Sequence, residues 1–406
     1  MKILIVTQYF WPENFKINDF ALALKSLNHE VTILTGRPNY PEGKFFNGYT
    51  FFNKRKEDYE GIKVIRSWMF SRGKSTGIRL FMNYISFAFF ASVSAIIWLK
   101  KTNDIIFVYE PSPVTVGIPA VVYKFFSKAP MFFWVQDLWP ESVTAAGNVN
   151  SKALLKIIER IVKYIYRKSD VIFITSKSFR RSITEKGIDD KKIRYLPNWA
   201  EEIFTGHVEK NEEICKLLPV KGFKIIFAGN VGDAQDFESI IKAADLTKDH
   251  FDIHWIIIGD GRKKSWVEQQ IKYHDLKNIH LLGKYPVSLM PCFFKEADVL
   301  LVTLKNEHIF SLTVPAKIQS YLACGKPVLA MINGDGAEII NESKAGFSMN
   351  AGNYKKLALK AVEMSTMPKE HLESMGLAGK EYYMKNFNRK KLIDNVLDIF
   401  KLYVSE

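Results

Sequence analysis

Short, nearly uninterrupted apolar runs alternate with stretches whose apolar residues recur every three or four positions, and this alternation continues along most of the chain. Lys2 to Thr7 is the first run. It is followed by the loop Tyr9-Phe10-Trp11-Pro12-Glu13-Asn14. Next come Ile17, Phe20 or Ala21, Leu24 and Leu27 on one helical face, with Asn14 able to cap that helix, and then a second run, His29 to Thr35. Further runs are Ile62 to Arg66, Ile105 to Tyr109, Phe132 to Val135, Val171 to Thr175, Lys224 to Ala228, His254 to Ile258, Ile279 to Leu282 and Val328 to Ile332. Runs this short and this apolar suit parallel strands covered on both faces, and strands alternating with helical patterns predict an α/β fold.

The segment from Ile309 to Ile340 concentrates the chemistry. Val314-Pro315 suits a helix entry, and Ile318, Tyr321 and Leu322 follow at helical spacing. Gly325 ends that helix, and Pro327 prevents its resumption before the strand Val328 to Ile332. Gly334-Asp335-Gly336 comes next, with Glu338 opening the following element. A helix N-terminus aimed at one end of a parallel sheet, beside glycine turns, is a place for an anion such as a diphosphate. Two more such turns follow predicted strands: Gly229-Asn230-Val231-Gly232 and Gly259-Asp260-Gly261-Arg262.

Leu80 to Leu99 stands apart as twenty uncharged residues between Arg79 and Lys100-Lys101. Its length would cross a bilayer, but Asn83, Ser86, Ser92 and Ser94 interrupt it and α/β patterning continues on both sides. A span, a buried core helix and a helix lying against the membrane interface all remain open. Basic neighbours between Thr50 and Arg79 favour the last.

At 406 residues the chain exceeds one ordinary core, which points to two domains. A formal net charge of +14 calls for an acidic partner: nucleic acid, an anionic bilayer or a phosphorylated substrate. From Ser151 to Tyr195, thirteen lysines and arginines face five acidic residues with no repeated aromatic interleaving. That argues against nucleic acid and suits phospholipid head groups or a lipid diphosphate. Cys215, Cys292 and Cys324 have no CxxC spacing, which fits a reducing cytoplasm and neither a disulfide framework nor a zinc site. No metal cluster is visible, and Met1 to Val6 leads directly into the folded pattern without an export signal.

The run Pro315-x-Lys317-x-x-x-Tyr321-Leu322-Ala323-x-Gly325-Lys326-Pro327-Val328, followed by a glycine loop and Glu338, resembles the donor-site signature of the family 4 retaining glycosyltransferases, and within them the N-acetyl-L-fucosamine transferases of O-antigen and capsule assembly. The resemblance implies the GT-B fold, two Rossmann-like domains facing each other across a cleft. The first would be residues 1–196, carrying acceptor and membrane and capped by a C-terminal helix over 386–406. The second would be residues 197–385, carrying the nucleotide sugar. The Pro197-Asn198 link resembles the family's boundary.

By the same resemblance the donor site takes in Gly229, Asn230, Gly259, Gly261, Arg262, Lys284, Tyr285, Val314, Pro315, Lys317, Ser320 and Glu338. The backbone after Gly283 would read the nucleobase, and the Tyr285 side chain would pack. The family's arginine and lysine on the diphosphate are replaced here by Asn230 and Gln235, so Arg262 and Lys317 become the expected cations. Ser320 stands where the second of two family glutamates belongs, and Glu307 could substitute for the first. Asp137, beside Gln136 where relatives carry histidine, is the candidate acceptor base, with Glu141 a second carboxylate. Glu13, Asn14 and Asn18 would face the acceptor, although Phe15-Lys16-Ile17 replaces the family's Gly-Gly loop.

The expected activity is transfer of a sugar from a UDP-linked nucleotide sugar to a polyprenyl-diphosphate-linked saccharide. It needs no metal and no further cofactor, and it takes place peripherally on the cytoplasmic face of the membrane. A UDP-sugar 2-epimerase of the same fold and a non-catalytic membrane-bound assembly partner are the competing readings.

Overall fold

The computed structural model describes all residues except 51–52, 75, 146–150, 251 and 405–406. The chain divides into two compact units, Met1–Pro197 with Lys390–Glu406, and Asn198–Arg389.

The first unit is built on β1 (Lys2–Val6), β2 (Glu30–Thr35), β3 (Lys56–Tyr59), β4 (Ile62–Arg66), β5 (Ile105–Glu110), β6 (Met131–Val135), β7 (Val171–Ile174) and β8 (Ile193–Tyr195). Their order in the sheet is β3-β4-β2-β1-β5-β6-β7-β8, parallel except for the β3–β4 pair. β1, β5 and β6 are buried almost throughout, because central strands of such a sheet carry helices on both faces. The helix Arg389–Val404 belongs to this unit, with Phe400 4.6 Å from the ring of Phe132 and 5.9 Å from that of Phe107. It begins at Arg389 because Asn386 closes a separate helix, Lys369–Asn386, and of the expected apolar face Ile399 is only half-buried.

Two local expectations fail here. Asn14 does not cap the first helix, which runs Lys16–Ser26 behind Phe15 and has no side-chain cap. Leu27 lies past its end and is exposed. The long apolar segment is the helix Gly77–Trp98, and only Asn83, Ser86, Phe87, Ala88, Ala91 and Ala95 on it are buried. It is therefore not a helix buried in the core: Phe87 points inward, but Ile78, Phe81, Met82, Ile85, Phe89 and Ile97 point away from the unit that holds it.

The second unit carries β9 (Phe223–Ala228), β10 (Ile253–Ile258), β11 (Ile279–Gly283), β12 (Val299–Thr303), β13 (Val328–Met331) and β14 (Gly346–Met349), in the order β11-β10-β9-β12-β13-β14 and parallel throughout. β9 and β12 are sheet neighbours, which brings together loops far apart in sequence. The helix Lys317–Ala323 packs beneath this sheet through Ile318, Tyr321 and Leu322, and Gly325 turns the chain at φ +67°.

Candidate active site

In the second unit three glycine turns meet at the carboxyl ends of β9, β10 and β11. Gly229 N–H donates to Ile258 O at 2.9 Å, Gly259 N–H to Gly283 O at 2.8 Å, and Val231 N–H to Asp260 O at 2.9 Å. Glycine is required here by close approach. At Gly259, φ +153°, a β-carbon would stand 1.8 Å from Gly229 O, and one on Gly261 would stand 2.3 Å from Val231 O. Asn230 lies between Gly232 and Gly261, within 2.6 Å of the β-carbon position of each.

Lys317 reaches into this junction from its helix. Its Nζ is 3.1 Å from the β-carbon position of Gly229 and 3.7 Å from the centroid of the Phe227 ring. The nitrogen is buried and has no hydrogen-bond partner among the described residues. Burial therefore pushes the amine down to about 7. A buried cation centre without an anion, beside a glycine turn at a strand end, is an arrangement that a diphosphate would complete.

Tyr321, on the same helix, fixes the turn: its hydroxyl accepts the Ala228 amide at 3.2 Å. Arg262 follows Gly261, but its side chain is exposed. Lys263 and Lys305, absent from the sequence expectations, approach the Asn230–Gln235 loop, with Nζ 3.3 and 3.8 Å from Asp233 Oδ1. A small cleft is lined by Gly232, Asp233, Phe237, Lys263, Trp266 and Lys305. Lys305 follows the end of β12, where strand-end logic would have found it had β12 been recognised.

The remaining donor-side candidates divide. Val314 is buried, Pro315 and Ser320 are half-buried, and Lys284 is exposed. Tyr285 packs edge-on against Phe293, ring centroids 4.9 Å apart. Glu338 does not open its element: the helix begins at Asp335, Gly334 takes φ +70° against Ser311, and Glu338 lies exposed in the first turn. Glu307 precedes the short helix His308–Ser311.

In the first unit, Asp137 follows β6. Burial of its carboxyl raises it to about 6, against the opposing pull of Ser142 and Trp139. Glu141 is already engaged, its Oε1 accepting from Ser182 Oγ at 2.6 Å and from Lys186 Nζ. Glu110, at the end of the neighbouring β5, was not anticipated. It is fully buried, and neither carboxylate oxygen meets a hydrogen-bond donor among the described residues. Desolvation, then the Asp137 charge, hold it well above the usual carboxylate range.

Of the three residues expected to face an acceptor, two turn inward. Glu13 is buried, its Oε1 accepting the amides of Asn39 and Tyr40 at 2.8 and 2.7 Å, and burial raises it to about 7. Asn18 donates to Glu13 O at 2.7 Å and accepts from Trp11 N–H at 3.2 Å. Only Asn14 is exposed. Among the described residues no cluster of three or more His, Cys, Asp or Glu gathers to hold a metal ion.

Comparison with known proteins gives these features a family. Residues 16–199 match the glycosyl transferase 4-like domain, and residues 222–366 match glycosyl transferases group 1. Similar proteins include the probable glycosyltransferase WbjE of Pseudomonas aeruginosa, 27% identical over 63% of this chain and 65% of that protein. Another is the putative colanic acid biosynthesis glycosyl transferase WcaI of Escherichia coli K12, 24% identical over 80% of this chain and 82% of its own. Among solved structures, Anabaena HepE in complex with UDP superposes with TM-score 0.71 at 13% identity, covering 99% of this chain and 100% of that one. Sucrose-phosphate synthase from Thermosynechococcus elongatus gives 0.75 at 13% identity, covering 100% and 99%. The chain is a glycosyltransferase of the family 4 type with the GT-B fold.

Proposed function

We propose that this glycosyltransferase moves an N-acetylated sugar, such as N-acetyl-L-fucosamine, from a UDP-sugar to a polyprenyl-diphosphate-linked saccharide. It acts peripherally at the inner face of the cell membrane during assembly of a surface polysaccharide. The observation that carries the reading is Lys317: its amine is buried beside the Gly229 turn and lacks an anion. The second unit then serves as the donor domain and the first as the acceptor domain.

As the bond between sugar and diphosphate breaks, negative charge grows on the leaving group. A cation already in place there stabilises the transition state more than the ground state. Lys263 and Lys305 supply further positive charge near the same loop. Asp137 orients the acceptor hydroxyl and assists its deprotonation, with Glu110 adjacent. Retention of anomeric configuration, and a role for leaving-group oxygen in accepting that proton, are carried over from family 4. The name of WcaI supports the polysaccharide context, and the UDP bound to HepE supports the nucleotide.

The test is a panel of UDP-sugars incubated with the chain, with and without a lipid-diphosphate saccharide acceptor. UDP release that depends on acceptor supports the reading. Conversion of the sugar nucleotide without acceptor would assign a 2-epimerase, and no turnover of any donor with lipid-linked acceptors would remove the proposed substrates.

A further inference from the structure

The helix Gly77–Trp98 has its polarity inverted relative to a helix on an ordinary soluble surface. Its inward face consists of small and polar residues and a single large apolar one, Phe87, and its outward face carries Ile78, Phe81, Met82, Ile85, Phe89 and Ile97 at helical spacing. Ile78 is 77% exposed, Phe89 61% and Ile97 62%. The inward polar groups are fully used: Asn83 Oδ1 accepts from Gln8 Nε2 at 2.7 Å, and Ser86 Oγ accepts from Phe70 N–H at 2.9 Å. The neighbouring helix Gly117–Ser127 adds a second apolar element at its C-terminal end, where Phe125 is 69% exposed and Phe126 40%. An exposed apolar stripe this long exceeds what a water-facing surface ordinarily tolerates.

Cations border the stripe and lie on its aromatic residues. Lys56 Nζ is 4.4 Å and Arg55 Cζ 5.5 Å from the Trp98 ring, Lys101 Nζ is 4.9 Å from Phe126, and Lys128 Nζ is 5.0 Å from Phe125. From Gly61 to Gln136 the sequence holds nine lysines and arginines and only two acidic residues, Asp104 and Glu110. The first accepts the Lys2 amide at 2.7 Å and the second is buried, so cations predominate along the border.

We propose that the Ile78–Ile97 face, together with Phe125 and Phe126, seats the first unit on an anionic phospholipid bilayer, the helix lying in the plane of the interface with its basic border among the head groups. A second copy of the chain fits less well, because a two-fold contact through this face would set the same cations against each other. Spanning the bilayer would break the Asn83 and Ser86 hydrogen bonds and strip the alanine face from its neighbours. The surface deepens the membrane part of the proposed function and stands independently of donor and acceptor identity.

The test is flotation of the full chain with vesicles of phosphatidylcholine alone or mixed with phosphatidylglycerol, at low and high salt. Flotation with the mixed vesicles is expected, weakened by salt and reduced about tenfold in Phe89→Ser/Ile97→Ser and in Lys100→Gln/Lys101→Gln/Lys128→Gln. Unchanged melting temperatures would show that both variants fold. Phe125→Ser/Phe126→Ser provides an independent route to the same loss. Failure of the wild-type chain to float with mixed vesicles overturns the proposal. So does a wild-type dimer that Phe89→Ser/Ile97→Ser converts to monomer, which would assign the face to a second copy. Resistance of the bound chain to alkaline carbonate extraction would overturn the in-plane placement. Because flotation requires no turnover, its outcome is separable from that of the UDP-sugar panel.

Discussion

The Lys317 amine lies 3.7 Å from the centroid of the Phe227 ring, buried and without a hydrogen-bond acceptor among the described residues. The aromatic face partly compensates a charge that burial opposes. The amine is held at about 7 in the fold against 10.5 when solvated. Between those values the unfolded chain binds more protons than the folded one, so this group makes stability rise with pH across that window. Lys317→Met is expected to be more stable than wild type, by on the order of a few kcal/mol at and below neutrality, with the difference closing toward pH 10.5. Denaturant titrations at several pH values check this, and parallel curves for the two proteins would refute it.

Glu110 contributes with the opposite sign. Its carboxyl is held well above the ordinary carboxylate range in the fold, so the native state binds the extra proton and stability falls as pH rises through and above that range. Glu110→Gln keeps the shape of the neutral acid. It is expected to match wild type in mild acid and to be the more stable of the two at neutral and higher pH. A wild-type advantage that grows with pH would mean that the buried carboxylate is stabilised by a partner.

Asp137→Asn is expected to lower turnover about 100-fold or more while leaving UDP affinity nearly unchanged. With Asp137 at about 6, the wild-type rate should rise as pH increases through that value and then level, since the ionised form is the base. Steady-state rates measured across the pH range check both statements. Unchanged turnover in the variant would take Asp137 out of the catalytic set.

Gly259→Ala tests whether the glycine junction is a structural requirement. The new β-carbon would stand 1.8 Å from Gly229 O at a backbone angle L-residues rarely adopt, so one of the two turns must move. A loss of about 2–4 kcal/mol in stability together with weaker UDP binding is expected. Wild-type stability and affinity would show that the turns can part freely.

Most of the sheet framework was readable because its central strands are continuous apolar runs; β1, β5 and β9 needed nothing more. β3, Lys-Glu-Asp-Tyr, has no apolar period at all and exists only as the antiparallel partner of β4. The glycine turns were readable for a similar local reason, since glycine marks close backbone approach. The cations were less so. Lys305 reaches Asp233 only because β12 lies beside β9, an adjacency that follows from sheet order and not from sequence spacing. Glu13 and Asn18 look like loop side chains offered to a ligand, yet both satisfy backbone groups of their own surroundings. Asn83 and Ser86 were legible only in part. As interruptions they argued against a membrane span without showing which face of the helix they occupy, and the structure places both on the buried face.

The central claim is that the second unit grips the leaving diphosphate through Lys317 at the Gly229 turn. Calorimetric titration of UDP into wild type and Lys317→Met, near pH 7 where the wild-type amine can take up a proton, tests it most directly. The account predicts UDP binding by wild type with proton uptake that grows above pH 7, and affinity at least about tenfold weaker with no such uptake in the variant. Equal affinity in the two proteins, with the variant folded, would contradict it.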